Sequence, residues 1–150
     1  MTQFVLVGDA PCTKADDKLL RSLVAEAGME NVHYTTASLH RSPTRLTDSI
    51  LKKERPRLML EIRVHEPKVV VTLGAAAAYA VCGQVPRMRG MVREETYLGH
   101  SFLVYITRHP SSLLYNPDYY MDIVTDLCRA AEGTTPENFT LSDIFSVSNA

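Results

Sequence analysis

Four short apolar or β-branched runs, Phe4–Val7, Val32–Thr35, Lys68–Thr72 and Phe102–Ile106, alternate along this chain with longer amphipathic segments. Runs of this length are too short for core helices. Their nearly continuous Val, Ile and Leu content fits strands covered on both faces, as in a parallel sheet, better than strands with one wet face. Strand and helix signals in alternation are the pattern of βα units. The chain is therefore predicted to be α/β, with a central, mostly parallel, four-stranded sheet. Helices are expected at about Ala15–Ala27, Thr47–Val64, Ala75–Val81 and Pro117–Ala131, and Leu19, Leu20, Leu23 and Val24 give the first an apolar stripe. Pro56 falls inside the second. A proline there removes a backbone donor and crowds the preceding turn, so that helix is expected to kink, or to split with Pro56 in the first turn of a new helix, while Leu58, Leu60 and Ile62 continue the burial.

A length of 150 residues with 45% hydrophobic content suits one domain with one core. The domain is expected over residues 1–131. Residues 132–150 are a polar tail, anchored at most by Phe139, Leu141, Ile144 and Phe145, that packs on or trails from it. No stretch reaches the ~20 apolar residues of a membrane span, and no basic-then-apolar leader opens the chain. Three cysteines, Cys12, Cys82 and Cys128, are too few and too scattered for a disulfide framework or a four-cysteine metal site, so a reducing, cytoplasmic setting is expected. Between Arg41 and Arg93 eleven Lys or Arg face four acids, whereas from Ser112 onward one Arg faces six acids. Such asymmetry suits a basic, nucleic-acid-facing side with an acidic rear. The plainer reading is that Lys52, Lys53, Arg55 and Arg57 only solvate a helix face.

Two loops stand at the carboxyl ends of the first and last apolar runs, the place where open α/β sheets bind ligands. They are Gly8-Asp9-Ala10-Pro11-Cys12 and His109-Pro110-Ser111-Ser112-Leu113-Leu114. Folding can bring an acid and a histidine about 100 positions apart to one substrate. Taken singly, Asp9 reads as a cap or turn carboxylate and His109 as a loop histidine beside a turn proline. No Gly-rich phosphate cradle follows the first run, which argues against a dinucleotide or flavodoxin-type binder. No His, Cys or acid spacing suggests a metal site.

Taken in order, the segments resemble the uracil-DNA glycosylase superfamily, and within it the bacterial and archaeal branch called family 4. The family's first motif is similar to Val5-Leu6-Val7-Gly8-Asp9-Ala10-Pro11, its middle segment to Pro67 through Ala75, its later Arg-Gly to Arg89-Gly90, and its final motif to Thr107 through Leu114. The resemblance implies a three-layer α/β/α sandwich and hydrolysis of an N-glycosidic bond in DNA. That reaction builds positive charge on the sugar and negative charge on the departing base, so it needs an anion near one and a donor near the other. By resemblance Asp9 orients water and stabilises the sugar, and His109 hydrogen-bonds the pyrimidine O2. Gly8, Ala10, Pro11, Cys12 and Thr36 would surround the base. Ser38, Arg41, Ser42, Ser111, Ser112 and Arg89 would lie near backbone phosphates, with His40 a further neighbour and the helix start after Gly74 able to face a phosphate. Gly90 belongs to the same DNA-side motif. Leu113 or Leu114 would be the apolar wedge that fills the gap left by a flipped nucleotide.

Three departures from the family pattern stand out. Family 4 carries an iron–sulfur cluster on four cysteines, but this chain lacks the N-terminal Cys-x-x-Cys, and the later ligand positions align with His40 and Glu54. No cofactor is therefore expected. The segment that supplies a base-stacking Phe is missing between Asp16 and Leu19. The uracil-reading Asn is matched by Thr36, whose single hydroxyl cannot reproduce a bidentate amide contact. Cys12 stands where other branches place a bulky residue against the C5 face of the base, and otherwise reads as a small loop residue. The expectation is a cluster-free glycosylase for uracil or a related modified pyrimidine, with DNA and possible replication or repair proteins as partners. Its competitor is a catalytically silent relative that holds DNA or assists such proteins.

Overall fold

The computed structural model describes residues 2–11, 14–39, 47–83 and 90–133. Its elements in chain order are β1 (Phe4–Gly8), α1 (Lys14–Glu26), β2 (Val32–Thr36), α2 (Asp48–His65), β3 (Val69–Leu73), α3 (Ala75–Cys82), β4 (Val92–Tyr97), β5 (His100–Thr107), a 3-10 turn (Pro110–Leu114) and α4 (Tyr119–Glu132). The sheet order is β2-β1-β3-β5-β4, with every pair parallel except β4 against β5. Side chains alternate along each strand, so Val5, Val7, Val70, Val104 and Ile106 share one core with α2 and α3, while Phe4, Leu6, Val69, Val71 and Tyr105 share the other with α1 and α4. This is the expected three-layer sandwich. The expected tail structure falls outside the described residues.

The sheet has five strands rather than four. Val92-Arg93-Glu94-Glu95-Thr96-Tyr97 lies on the sheet edge, half-buried or exposed throughout, and so lacks the continuous apolar run that marks the other strands. It joins β5 through the two-residue turn Leu98-Gly99, both at positive φ (47° and 80°), the conformation that matches hairpin twist. Asn-Gly is the usual signal for such a turn, and Leu-Gly carries none of it. Helix α2 is also not split: Pro56 sits inside one helix of 18 residues. An interior proline costs ~3 kcal/mol. Burial of Leu51, Leu58, Met59 and Ile62 offsets it, at roughly 1.5–3 kcal/mol per large side chain. Leu60, expected in that stripe, is exposed.

The parallel register decides where chemistry can occur. Gly8 pairs with Thr36, and Leu73 pairs with Thr107, so the strand ends form one row across the sheet. The chain order reverses between β1 and β3, and a crevice opens at such a switch point. The end of β5 is fixed from two sides: Thr107 Oγ1 donates to the buried Asp126 carboxylate of α4 at 2.7 Å, and Thr107 O accepts from Gly74 N at 3.0 Å. Thr107→Val removes the first bond inside the core. It is expected to lower unfolding free energy by about 1–3 kcal/mol, read from the urea midpoint at unchanged slope.

Candidate active site

Immediately above the row of strand ends, Asp9 and His109 meet around Gly74. A Cβ placed on Gly74 would lie 3.2 Å from His109 Cβ and 3.3 and 3.5 Å from the two Asp9 carboxylate oxygens. Gly74 has φ +101°, a region that other residues enter only under strain. Asp9 Oδ1 accepts from Ala77 N, in the first turn of α3, at 3.2 Å. The carboxylate thus caps a helix 68 positions away in the chain, and the cap reading and the functional reading apply to the same atoms. Burial pushes the Asp9 carboxyl above the ordinary carboxylate range, while His109 and the Ala77 N–H draw it partly back.

His109 is held by the turn that follows it. Ser111 N donates to His109 Nδ1 at 3.1 Å, and Ser111 Oγ lies 2.7 Å from the same nitrogen. A backbone N–H can only donate, so Nδ1 is the unprotonated nitrogen and the ring carries its proton on Nε2. The remaining ring nitrogen is thereby a donor. Ser111, expected near a phosphate, serves here to orient His109.

Two cavities adjoin His109. The larger, about 400 Å³, lies between α1 and the strand ends, and its walls include Gly8, Ala10, Pro11, Thr36 and His109 of the expected base-site residues. Asp9 sits between two of these, with its carboxylate turned to Gly74 and Ala77. The smaller cavity, about 240 Å³, is bounded by Gly74, Ala75, Thr107, His109 and Ser112. Ser112 Oγ is buried there without a hydrogen-bond partner. His109 lines both cavities.

Other expected residues are placed differently. Ser38 is wholly buried, so its hydroxyl is not presented to a phosphate as expected; its N–H donates to Asp9 O at 3.0 Å. Gly90 is held at the sheet edge, its N–H donating to Ile106 O at 2.7 Å. Leu113 is half-buried and packs against the core on the α1 and α4 side, whereas Leu114 is 81% exposed. Cys12, His40, Arg41, Ser42 and Arg89 lie outside the described residues. His33 and His65 stack on each other with ring centres 3.9 Å apart, His33 bonds Glu61, and His100 bonds Pro67 O.

Several positioning residues escaped the sequence reading. Arg57, read as a solvated helix-face charge, is half-buried and donates to Thr36 O at 2.7 Å, Ala37 O at 3.3 Å, Thr35 Oγ1 at 3.3 Å and Glu61 at 3.2 Å. Arg55 is likewise engaged, with Ala80 O at 3.0 Å and Val81 O at 3.2 Å. Arg57 therefore holds the end of β2, and Ala37 N passes that restraint to Gly8 O at 2.8 Å. Tyr34 also lines the larger cavity. Strand alternation gives the signal for it, since Tyr34 and Thr36 stand two apart on one face. Nothing local in the sequence marks Arg57.

The residues present do not fit the iron–sulfur cluster of the family 4 pattern. Glu54, at one of its ligand positions, accepts from Leu39 N at 2.7 Å and lies 4.0 Å from Arg57. Cys82 and Cys128 sit on α3 and α4, which cover opposite faces of the sheet. Burial pushes the Cys82 thiol up to about 12, whereas cluster ligation needs a thiolate. Among the described residues no group of three or more His, Cys, Asp or Glu side chains could hold a metal, and no helix is long and apolar enough to cross a membrane.

A family model described as the uracil DNA glycosylase superfamily matches residues 2–128. The chain is also 26% identical, over 162 aligned positions, to a type-4 uracil-DNA glycosylase of Archaeoglobus fulgidus, an alignment that covers 94% of this chain and 81% of that protein.

Gly74→Ala puts a side chain on a strained backbone and between Asp9 and His109. It is expected to cost about 1–3 kcal/mol of stability from the backbone alone. Its second mark is a shift of the His109 ring signals in NMR spectra larger than that of any surface alanine substitution on α2.

Proposed function

The chain belongs to the uracil DNA glycosylase superfamily, and from that footing we propose that it hydrolyses the N-glycosidic bond of uracil, or of a related modified pyrimidine, in DNA. The observation that carries this reading is the meeting of Asp9 and His109 across Gly74, with an Nε2–H donor on one side and a carboxylate on the other. The base occupies the larger cavity and the sugar–phosphate lies toward the smaller one. As the bond from C1′ to the base breaks, the electron pair leaves with the base, and His109 Nε2–H donates to the base oxygen where that charge collects. Asp9 faces the cationic sugar and holds the water whose oxygen adds to C1′. The water's proton passes to the carboxylate or to solvent, and an abasic sugar and free base result. Each electrostatic contact of this kind is worth about 3–4 kcal/mol in the transition state.

The flanking residues fit the handling of a nucleic acid. The buried Ser112 hydroxyl and the amino end of α3 adjoin the smaller cavity, where a phosphate oxygen would find donors and a favourable helix dipole. Leu114 stands in solvent beside this site and serves as the wedge, while Leu113 anchors the turn from below. Because Asp9 also caps α3, its place in the fold does not by itself separate an enzyme from a silent DNA-binding relative, so excision itself is the deciding measurement.

Oligonucleotides with a single uracil, incubated with the protein and then cleaved with alkali at abasic sites, test the proposal. Asp9→Asn and His109→Ala are each expected to slow excision by ~10²–10³ with DNA affinity nearly unchanged. Absence of excision by the wild type on uracil and related pyrimidines would leave the silent-relative reading in its place. Since Asp9 acts as the carboxylate, the rate should rise with pH through its elevated pKa, giving an acid limb displaced upward from the ordinary carboxylate value. Leu114→Ala should slow excision more on paired than on single-stranded DNA, where there is less stacking to break. Leu113→Ala should instead lower stability, by roughly 1–2 kcal/mol, since its side chain is half-buried against the core.

A further inference from the structure

Arg57 donates from one terminal nitrogen, Nη2, to two consecutive carbonyls, Thr36 O at 2.7 Å and Ala37 O at 3.3 Å. In a trans peptide the C=O and N–H point in opposite directions, so each of these carbonyls has an N–H on its far side. Ala37 N donates to Gly8 O at 2.8 Å, and Ser38 N donates to Asp9 O at 3.0 Å. One guanidinium therefore grips, through two successive peptide units, both residues that open the first loop. A carbonyl drawn to a positive charge polarises its peptide and makes the N–H a stronger donor. Ala37 and Ser38 are wholly buried, so water is not at hand to replace these bonds.

The guanidinium is itself aimed. Its other terminal nitrogen, Nη1, donates to Glu61 at 3.2 Å and to Thr35 Oγ1 at 3.3 Å, and Glu54 lies 4.0 Å from Nη2. The next peptide unit is fixed as well, with Ser38 O accepting from Thr36 Oγ1 at 2.6 Å and Leu39 N donating to Glu54 at 2.7 Å. Residues 36–39 thus form a bridge clamped to α2 on one side and to the first loop on the other.

The strand pairing of β1 with β2 ends at Gly8 and Thr36, so Asp9 stands one residue beyond the sheet. It is gripped at both ends, at its carbonyl by Ser38 N and at its carboxylate by Ala77 N. An aspartate carboxyl carbon is only two bonds from Cα, and any shift of the backbone is carried directly to it. We propose that Arg57 is a positioning residue for Asp9, acting through the peptide units Thr36–Ala37 and Ala37–Ser38, a role that rests on the reading of Asp9 as the group that faces the sugar.

Arg57→Met tests this by amide hydrogen exchange, by single-turnover excision of uracil from an oligonucleotide, and by anisotropy binding of the same sequence with a cleavage-resistant 2′-fluorinated sugar. Ala77 N–H lies in the first turn of α3, where no intrahelical carbonyl serves it, so its exchange reports the grip of the Asp9 carboxylate. Val70, on a strand paired on both sides, reports opening of the whole domain. Exchange at Ser38 and Ala77 is expected to quicken about tenfold relative to Val70. Excision should slow by about 10–100-fold with binding nearly unchanged, since misplacement of a reacting group costs rate rather than affinity.

Arg57→Lys keeps the charge without the planar fork, so it should fall between wild type and Arg57→Met, and it carries the test if Arg57→Met does not fold. Ala77 exchange that merely follows Val70 overturns the inference, whether or not the wild type excises uracil. Excision by the variant at the wild-type rate overturns it too. Quickened Ala77 exchange with no excision by the wild type upholds the hold of Arg57 on Asp9 and removes the glycosylase proposal.

Discussion

The close approach at Gly74 is the constraint on which the rest of this site depends. Three parallel strands end in one row, and the residue after β3 must pass between the residue after β1 and the second residue after β5. With a side chain at that point, the space between Asp9 and His109 would be filled by carbon. Parallel pairing fixes the level of the strand ends, and the missing Cβ fixes how near the two functional groups can come. Chain order and strand register thus do the work that sequence proximity does in a local motif.

Around that point the molecule spends its buried polar groups on holding strand ends rather than on linking layers at random. Thr107 is gripped by Asp126 and Gly74, the end of β2 by Arg57, and the Gly8–Asp9 backbone by Ala37 and Ser38. Each bond lies within a residue or two of a group assigned to substrate. Asp126 is buried and Arg57 half-buried, and breaking their bonds would strand polar groups away from water, so these groups resist displacement once placed. Glu54 holding Leu39 N–H belongs to the same set, and ties the segment after β2 to α2 by a hydrogen bond.

Much of the fold was legible because each buried parallel strand writes itself as a short apolar run. The strand at Val92–Tyr97 was not legible, since an edge strand needs to satisfy only one neighbour and can be charged along its length. At Pro56 the helix continues rather than splitting, because the local cost of one proline is outweighed by core contacts made by residues on both sides of it. At the site, Asp9 and His109 could be picked out by their positions after strands, and Tyr34 could have been found from its spacing to Thr36. Arg57 and Asp126 could not, because their roles are set by carbonyls and hydroxyls from distant segments that no spacing in the chain reveals. Between Leu113 and Leu114 the sequence offered no choice, whereas Leu113 is half-buried against the core and Leu114 stands exposed.

Asp9 shows how stability and chemistry come to share one carboxylate. As a cap on Ala77 N it contributes about 1 kcal/mol to the fold, an amount an asparagine oxygen could also supply. Burial meanwhile penalises the charged form and lifts its pKa, a cost that an amide would not incur. Considered for stability alone, position 9 would therefore favour the neutral side chain. An aspartate stands there against that preference, and the electrostatic demand its carboxylate can meet is a positive charge arriving beside it. On the proposed reading a sugar cation forming next to Gly74 is such a charge, and the same desolvation that raises the Asp9 pKa would strengthen its attraction to that charge.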